Sequence, residues 1–417
     1  MGGRVAGYRC RNRYVAGEAE HYKCEQNLNT NYYFYFLINS LFISMKQKLF
    51  LVAAAVLALS SCSNDETVEI NSGKAIGFRT SVNSRAQEIT NANLSSFFVT
   101  AYNDNKIDAP YFADLEFKKT EGSALFYSDV KYYFPGDLSS LDFYAYAPSK
   151  DKFGTATLTI TSSEQKLTDF EPAADFGSQI DFITATATAN KNDVALNEYT
   201  GVELAFSHRL SQIEIKGVSE NTSYDFEVKG VRIAKAASKG SFNFADGSWE
   251  VGTEKAVYEK TLDAALTLGA EAASLTGGDC AMLIPQTIEP WAVSEQTNDS
   301  EGAYLSVLLK VTTKDGALVY PFADNDEEYA WAAIPLPDAT VWEAGKKYIY
   351  TLNYTTGAGY VDPAAKDHSG LPILVGEIRF DVTVDDWTES SSEIEMPAIK
   401  DENMDPDGNE GEDPFED

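Results

Sequence analysis

The chain reads as an all-β protein. Three observations predict this. Short apolar runs alternate with polar residues at a period of two, glycine-containing turns separate them, and few segments carry a helical period. Many short strands with such turns indicate β-sandwiches.

Phe97–Tyr102 is a short strand closed by Asn103-Asp104-Asn105, and Leu141–Tyr146 is another closed by Pro148. Thr155 to Ile160 alternates around Thr155, Thr157 and Thr159. Ile213–Lys216 and Val228–Ile233 mix apolar and charged residues, as strands with one wet face do. Asp246-Gly247 joins Phe242–Phe244 to Trp249–Val251, and Asp315-Gly316 joins Tyr304–Val311 to Ala317–Tyr320. Asp-Gly supplies the positive φ of a tight hairpin turn. Glu259 to Leu268 is the best short-helix candidate. The strand signals end with Ile378–Val384 and Trp387.

The N-terminal part carries a different signal. Lys46 and Lys48 follow Met45, an apolar run reaches Leu59, and Ser60-Ser61 precede Cys62. A basic start, a short apolar segment and small residues make a secretory signal. A cysteine immediately after them makes it a lipoprotein signal, with cleavage before Cys62 and acylation of its thiol and new amine. The run is too short to span a bilayer, which takes about 20 apolar residues. Each buried methylene contributes about 0.8 kcal/mol, so several acyl chains would hold the protein to a membrane. Residues 1–44 read as a mis-called upstream extension before a start at Met45. The rival is a hairpin between Tyr32–Ile43 and the signal. Residues 45–61 are the expected signal peptide and 62–85 a tether with a first strand. Two domains of ordinary size account for the rest, 86–200 and 201–390, with the boundary in the polar stretch Asn190 to Thr200.

Residues 62–417 carry a net charge of -35. Such a surface repels nucleic acid and anionic membrane faces. The tail 391–417 holds eleven Asp and Glu against Lys400 alone and reads as disordered. Within it, Asn403 to Gly408 resembles the start of a calcium loop, but Pro414 stands where a bidentate Glu belongs, so a solvated tail is the simpler reading.

Catalytic constellations are missing from the sequence: no nucleophile elbow, phosphate-cradling glycine loop or HExxH occurs. His208 and His368 stand alone, without a second ligand at metal spacing, so no metal and no cofactor are expected. Cys280 opens the apolar run to Ile284 and reads as a buried inert thiol. The five tryptophans could supply a glycan platform, but their placement on strands and strand ends fits core or rim positions better. An enzyme is not expected. Arg85-Ala86, in a polar segment after Ile76–Val82, is an accessible tryptic-type site. An ordinary surface arginine is the alternative.

Seven segments in order resemble the fimbrillin family, the Mfa-like surface lipoproteins. They are Cys62–Glu66, Ile76-Gly77-Phe78 with Ser84-Arg85-Ala86, Asp142–Pro148, Phe206–Ile213, Leu283–Thr287, Trp342–Tyr350 and Val384–Trp387. The resemblance implies two tandem transthyretin-like β-sandwich domains. It also implies the assembly of type V pilins. The precursor reaches the outer membrane on its lipid, and an arginine-specific protease cuts between Arg85 and Ala86. Lipid and first strand, Lys74–Ser81, then depart. A strand from another fimbrial subunit, of the same or a different kind, fills the groove. The candidate donor strand is Glu393–Ile399, with Ile394, Met396 and Ala398 on one face, although Pro397 removes a ladder donor. Ile378–Val384 is a stronger strand that fits the fold itself. The expected function is a structural, tip or anchor subunit of a surface fimbria contributing to cell adhesion. The alternative is an uncleaved surface lipoprotein that binds glycan through exposed aromatics.

Overall fold

The computed structural model describes residues 75–82, 89–104, 109–193, 201–293, 302–374 and 378–386. Among them there is no α-helix, only two 3-10 turns at Lys150–Phe153 and Phe176–Ser178. The all-β reading holds.

The first strands are β1 (Phe78–Val82), β2 (Ser96–Asn103), β3 (Phe112–Lys119), β4 (Phe126–Tyr127) and β5 (Leu141–Ala147). Then come β6 (Thr157–Ile160), β7 (Gln165–Phe170), β8 (Ile183–Ala189) and β9 (Val202–His208). Seven of these close into a ring in the order β1-β4-β3-β2-β5-β8-β9. Alternation explains the ring's interior. Phe97, Val99 and Ala101 on β2 and Leu141, Phe143 and Ala145 on β5 are completely buried, while their sequence neighbours point elsewhere. Phe78, Phe117, Phe126 and Phe206 complete an aromatic core.

Next follow β10 (Ser211–Val218), β11 (Tyr224–Ala237), β12 (Gly240–Asn243), β13 (Trp249–Val251) and β14 (Lys255–Thr267). Shorter strands are β15 (Ala273–Ser274), β16 (Ala281–Leu283) and β17 (Gln286–Thr287). After them come β18 (Tyr304–Thr313), β19 (Leu318–Tyr320), β20 (Ala330–Pro335) and β21 (Val341–Trp342). The last three are β22 (Lys346–Asn353), β23 (Tyr360–Val361) and β24 (Arg379–Asp386). One sheet runs β15-β10-β22-β24 with β16 also on β10, and another runs β14-β11-β18-β20-β23 with β19 on β18. Between them lies a second core that includes Ile213, Ile215, Val231, Ile233, Val307 and Tyr350.

A third sheet, β13-β12-β7-β6, joins strands from both halves of the chain. Phe170, Phe182, Phe242 and Ile284 pack beneath it with Leu210 and Met282. Sheet membership changes after His208 rather than near residue 200, because β9 still belongs to the closed ring. Both hairpin turns form where Asp-Gly placed them, with φ of 71° at Gly247 and 93° at Gly316. The helix expected over Glu259–Leu268 does not exist. That segment lies in β14, whose backbone pairs along β11 from Lys255 to Thr267 with two register shifts. A thirteen-residue strand with nine ladder pairs outweighs a weak local preference.

Candidate strand-acceptor site

The closed ring depends on β1. On one side it runs parallel to β9, with Phe78 opposite Val202 and Val82 opposite Phe206. On the other it touches β4 through a single antiparallel pair, Phe78 with Phe126. The Ile76 amide donates to the Tyr132 carbonyl at 2.7 Å, and the Val202 amide to the Gly77 carbonyl at 2.9 Å. Without β1, β9 and β4 would face each other across an open slot.

The side chains of this strand reach into the core. Ile76, Phe78 and Val82 are almost completely buried. The Phe78 ring meets Phe117 edge-on at 4.7 Å, Phe143 at 5.1 Å and Phe97 at 5.9 Å. Full burial of such a residue contributes about 1.5–3 kcal/mol, so the three together contribute roughly 5–9 kcal/mol. The outer face is polar. Arg79 donates to Glu203 at 2.7 Å, an exposed pair of small energetic weight. Gly77 has a packing reason: a Cβ there would lie 2.5 Å from the Tyr127 ring.

The first strand is Phe78–Val82, which overlaps the expected Lys74–Ser81 but starts four residues later and ends one residue beyond it. Arg85 and Ala86 lie in 83–88, outside the described residues, three and four positions beyond the end of β1. Cys62, and the donor candidates Ile394, Met396 and Ala398, also lie outside them.

Other residues singled out by sequence take structural places. His208 is buried, its Nδ1 2.8 Å from Asp181. His368 lies at the surface, with Nε2 2.6 Å from Asp324. Among the described residues no group of three or more His, Cys, Asp or Glu side chains is placed to hold a metal ion. Cys280 is half-buried rather than buried, because it precedes β16 instead of starting it. Among the described residues no tryptophan is exposed. Trp291 and Trp342 are buried, Trp249 and Trp331 are half-buried, and Trp387 lies outside the described residues. Trp342 donates from its indole to the Tyr350 hydroxyl at 2.9 Å, and Trp249 to the Arg209 carbonyl at 2.6 Å. Sequence reasoning missed the closure of β9 on β1. Its only signal is the apolar alternation shared by Val202, Leu204 and Phe206.

The fimbrillin-like family profile matches residues 79–387, and the chain belongs to that family. A fimbrium subunit, Fim1C, of Phocaeicola vulgatus is 25% identical over 248 residues, covering 52% of this chain. The match spans 65% of that relative's length. Among solved structures, a fimbrial protein of Bacteroides vulgatus has a TM-score of 0.48 at 18% identity, covering 75% of this chain and 99% of its own. A candidate cell adhesion protein of Bacteroides uniformis has a TM-score of 0.41 at 15% identity, covering 76% and 99%.

Proposed function

We propose that this chain is a structural or accessory subunit of a surface fimbria, at stalk, tip or anchor, that contributes to cell adhesion and performs no catalysis. It travels to the outer membrane as a lipoprotein acylated at Cys62. An arginine-specific protease then cuts between Arg85 and Ala86. Assembly follows when a strand of another subunit replaces β1.

One observation carries the reading: a single short strand closes the ring, fills its core with Phe78 and Val82 beside Ile76 just ahead of it, and precedes the proposed cut by three residues. A cut at Arg85 severs β1 from the rest of the fold without touching any described strand. The severed strand stays seated by its buried side chains until a competitor displaces it. Its loss exposes core and leaves the unpaired N–H and C=O groups of β9, which an incoming strand satisfies. The contact is head-to-tail and does not close, so it propagates into a filament.

The donor we assign is Glu393–Ile399. A second reading rests on β24. Ile378, Phe380, Val382 and Val384 repeat the spacing of Ile76, Phe78, Thr80 and Val82. In its own subunit β24 pairs with β22 from Arg379 to Asp386, and Val382 and Val384 remain 38% and 53% exposed. Two features oppose its transfer. Aligned on Phe78, Arg379 would fall at Gly77 and strike Tyr127, and Asp381 would face Glu203.

The test is to treat the lipidated precursor with an arginine-specific protease, sequence the new N-terminus and look for SDS-resistant ladders. A start at Ala86 with ladders is expected. A different start with monomer only would indicate an uncleaved anchor or receptor.

A further inference from the structure

The six-stranded sheet carries, on the face opposite its core, a polar cluster at the floor of a cleft. Val231, Val307 and Ala332 point into the core, so their neighbours Arg232, Ser306 and Trp331 face the other way. Asp362, just after β23, is completely buried among them. It accepts from Arg232 at 2.5 Å, Ser306 at 2.7 Å, Tyr304 at 3.0 Å and the Ala364 amide at 2.8 Å. The Arg232 guanidinium lies 4.2 Å over the Trp331 ring, and its buried Nε–H has no acceptor among the described residues.

Above this floor opens a cleft of about 730 Å³, within the range of small-molecule sites. Its walls are aromatic. Tyr320 and Phe322 meet edge-on at 5.5 Å, and Tyr329 stands half-buried at the start of β20. Two loops form the mouth, joined where His368 meets Asp324 at 2.6 Å. That hydrogen bond holds the Asp324 carboxyl below the usual carboxylate range, so it is ionised at neutral pH. Asp326, Glu327 and Asp367 add further negative charge around it, against Lys366.

We infer that this cleft binds one neutral or amino-bearing hexose unit of a glycan. A sugar ring has apolar C–H faces and a periphery of hydroxyls. The aromatic walls cover the former, while the guanidinium and carboxylates form paired hydrogen bonds with adjacent hydroxyls. The acidic mouth excludes sialylated and uronic sugars by repulsion. Glycan recognition then rests on a built cleft rather than on exposed tryptophans, and does not depend on strand exchange.

The purified protein should be titrated with lactose, mannobiose and N,N′-diacetylchitobiose, with sialyllactose and trilysine as charged controls. Tryptophan fluorescence and saturation-transfer NMR report binding. At least one uncharged sugar should bind saturably and sialyllactose should not. Tyr329→Ala should weaken binding about tenfold, about 1.4 kcal/mol, with an unchanged melting temperature. Should Tyr329→Ala disturb folding, Asp326→Lys with Glu327→Lys, placed in the exposed loop, should lift the exclusion of sialyllactose. Tyr133→Ala, an exposed aromatic elsewhere, should change nothing. Binding of trilysine alone, binding of no sugar, or equal affinity in folded Tyr329→Ala would overturn the assignment.

Discussion

β1 and β24 carry apolar residues at the same spacing and meet different fates. In β1 the alternating side chains enter a ring of seven strands and vanish from solvent. In β24, Ile378 and Phe380 reach the core edge, while Val382 and Val384 stay exposed on the last strand of its sheet. Alternation decides which face is apolar, but neighbours on both sides decide how much stability that face returns. A strand paired along one edge resembles something transferable. One paired along both edges and packed from within resembles a keystone. The proposed assembly removes the keystone and fills its place with a strand from another subunit.

Polymer formation should separate the two most sharply. In protein trimmed to Ala86, Ile394→Asp with Met396→Asp should abolish filaments, whereas Phe380→Asp with Val382→Asp should leave them. The reverse pattern would transfer the donor role to β24, and filaments from both variants would sink strand donation. In the untrimmed monomer, Phe78→Ala should lose about 3–5 kcal/mol in chemical denaturation. Val384→Ala should stay within about 0.5 kcal/mol; equal losses would dissolve the contrast. Gly77→Ala, driving a methyl group toward the Tyr127 ring, should cost about 1–3 kcal/mol and recover partly in combination with Tyr127→Ala. Arg79→Ala should have the smallest effect, below about 1 kcal/mol, because its pair with Glu203 is exposed.

What the sequence made legible follows from range. The hairpins at Asp246-Gly247 and Asp315-Gly316 are local events, decided by one dipeptide between two apolar runs. The strand at Ile76–Val82 was legible for the same reason. Its partner was not: β9 lies far along the chain and pairs in parallel, so no turn announces it. β14 was misread although its burial alternates with a period of two, because Lys260 sits on the inner face and Val257 and Ala265 on the outer one, which blurs the apolar pattern. The cleft was invisible because Arg232, Ser306, Trp331 and Asp362 come from four separated segments that only sheet order brings together. Asp324 to Asp326, uninformative in an acidic chain, acquire meaning from Phe322, Tyr329 and His368 beside them.

In the proposed assembly β1 leaves and another subunit's strand takes its place. Filaments assembled from protease-treated precursor can be washed, dissolved and weighed by mass spectrometry. The account predicts that the fragment Cys62–Arg85 is absent while the β9 amides, Val202–Phe206, are protected from hydrogen exchange in the intact filament. One retained fragment per subunit would contradict it.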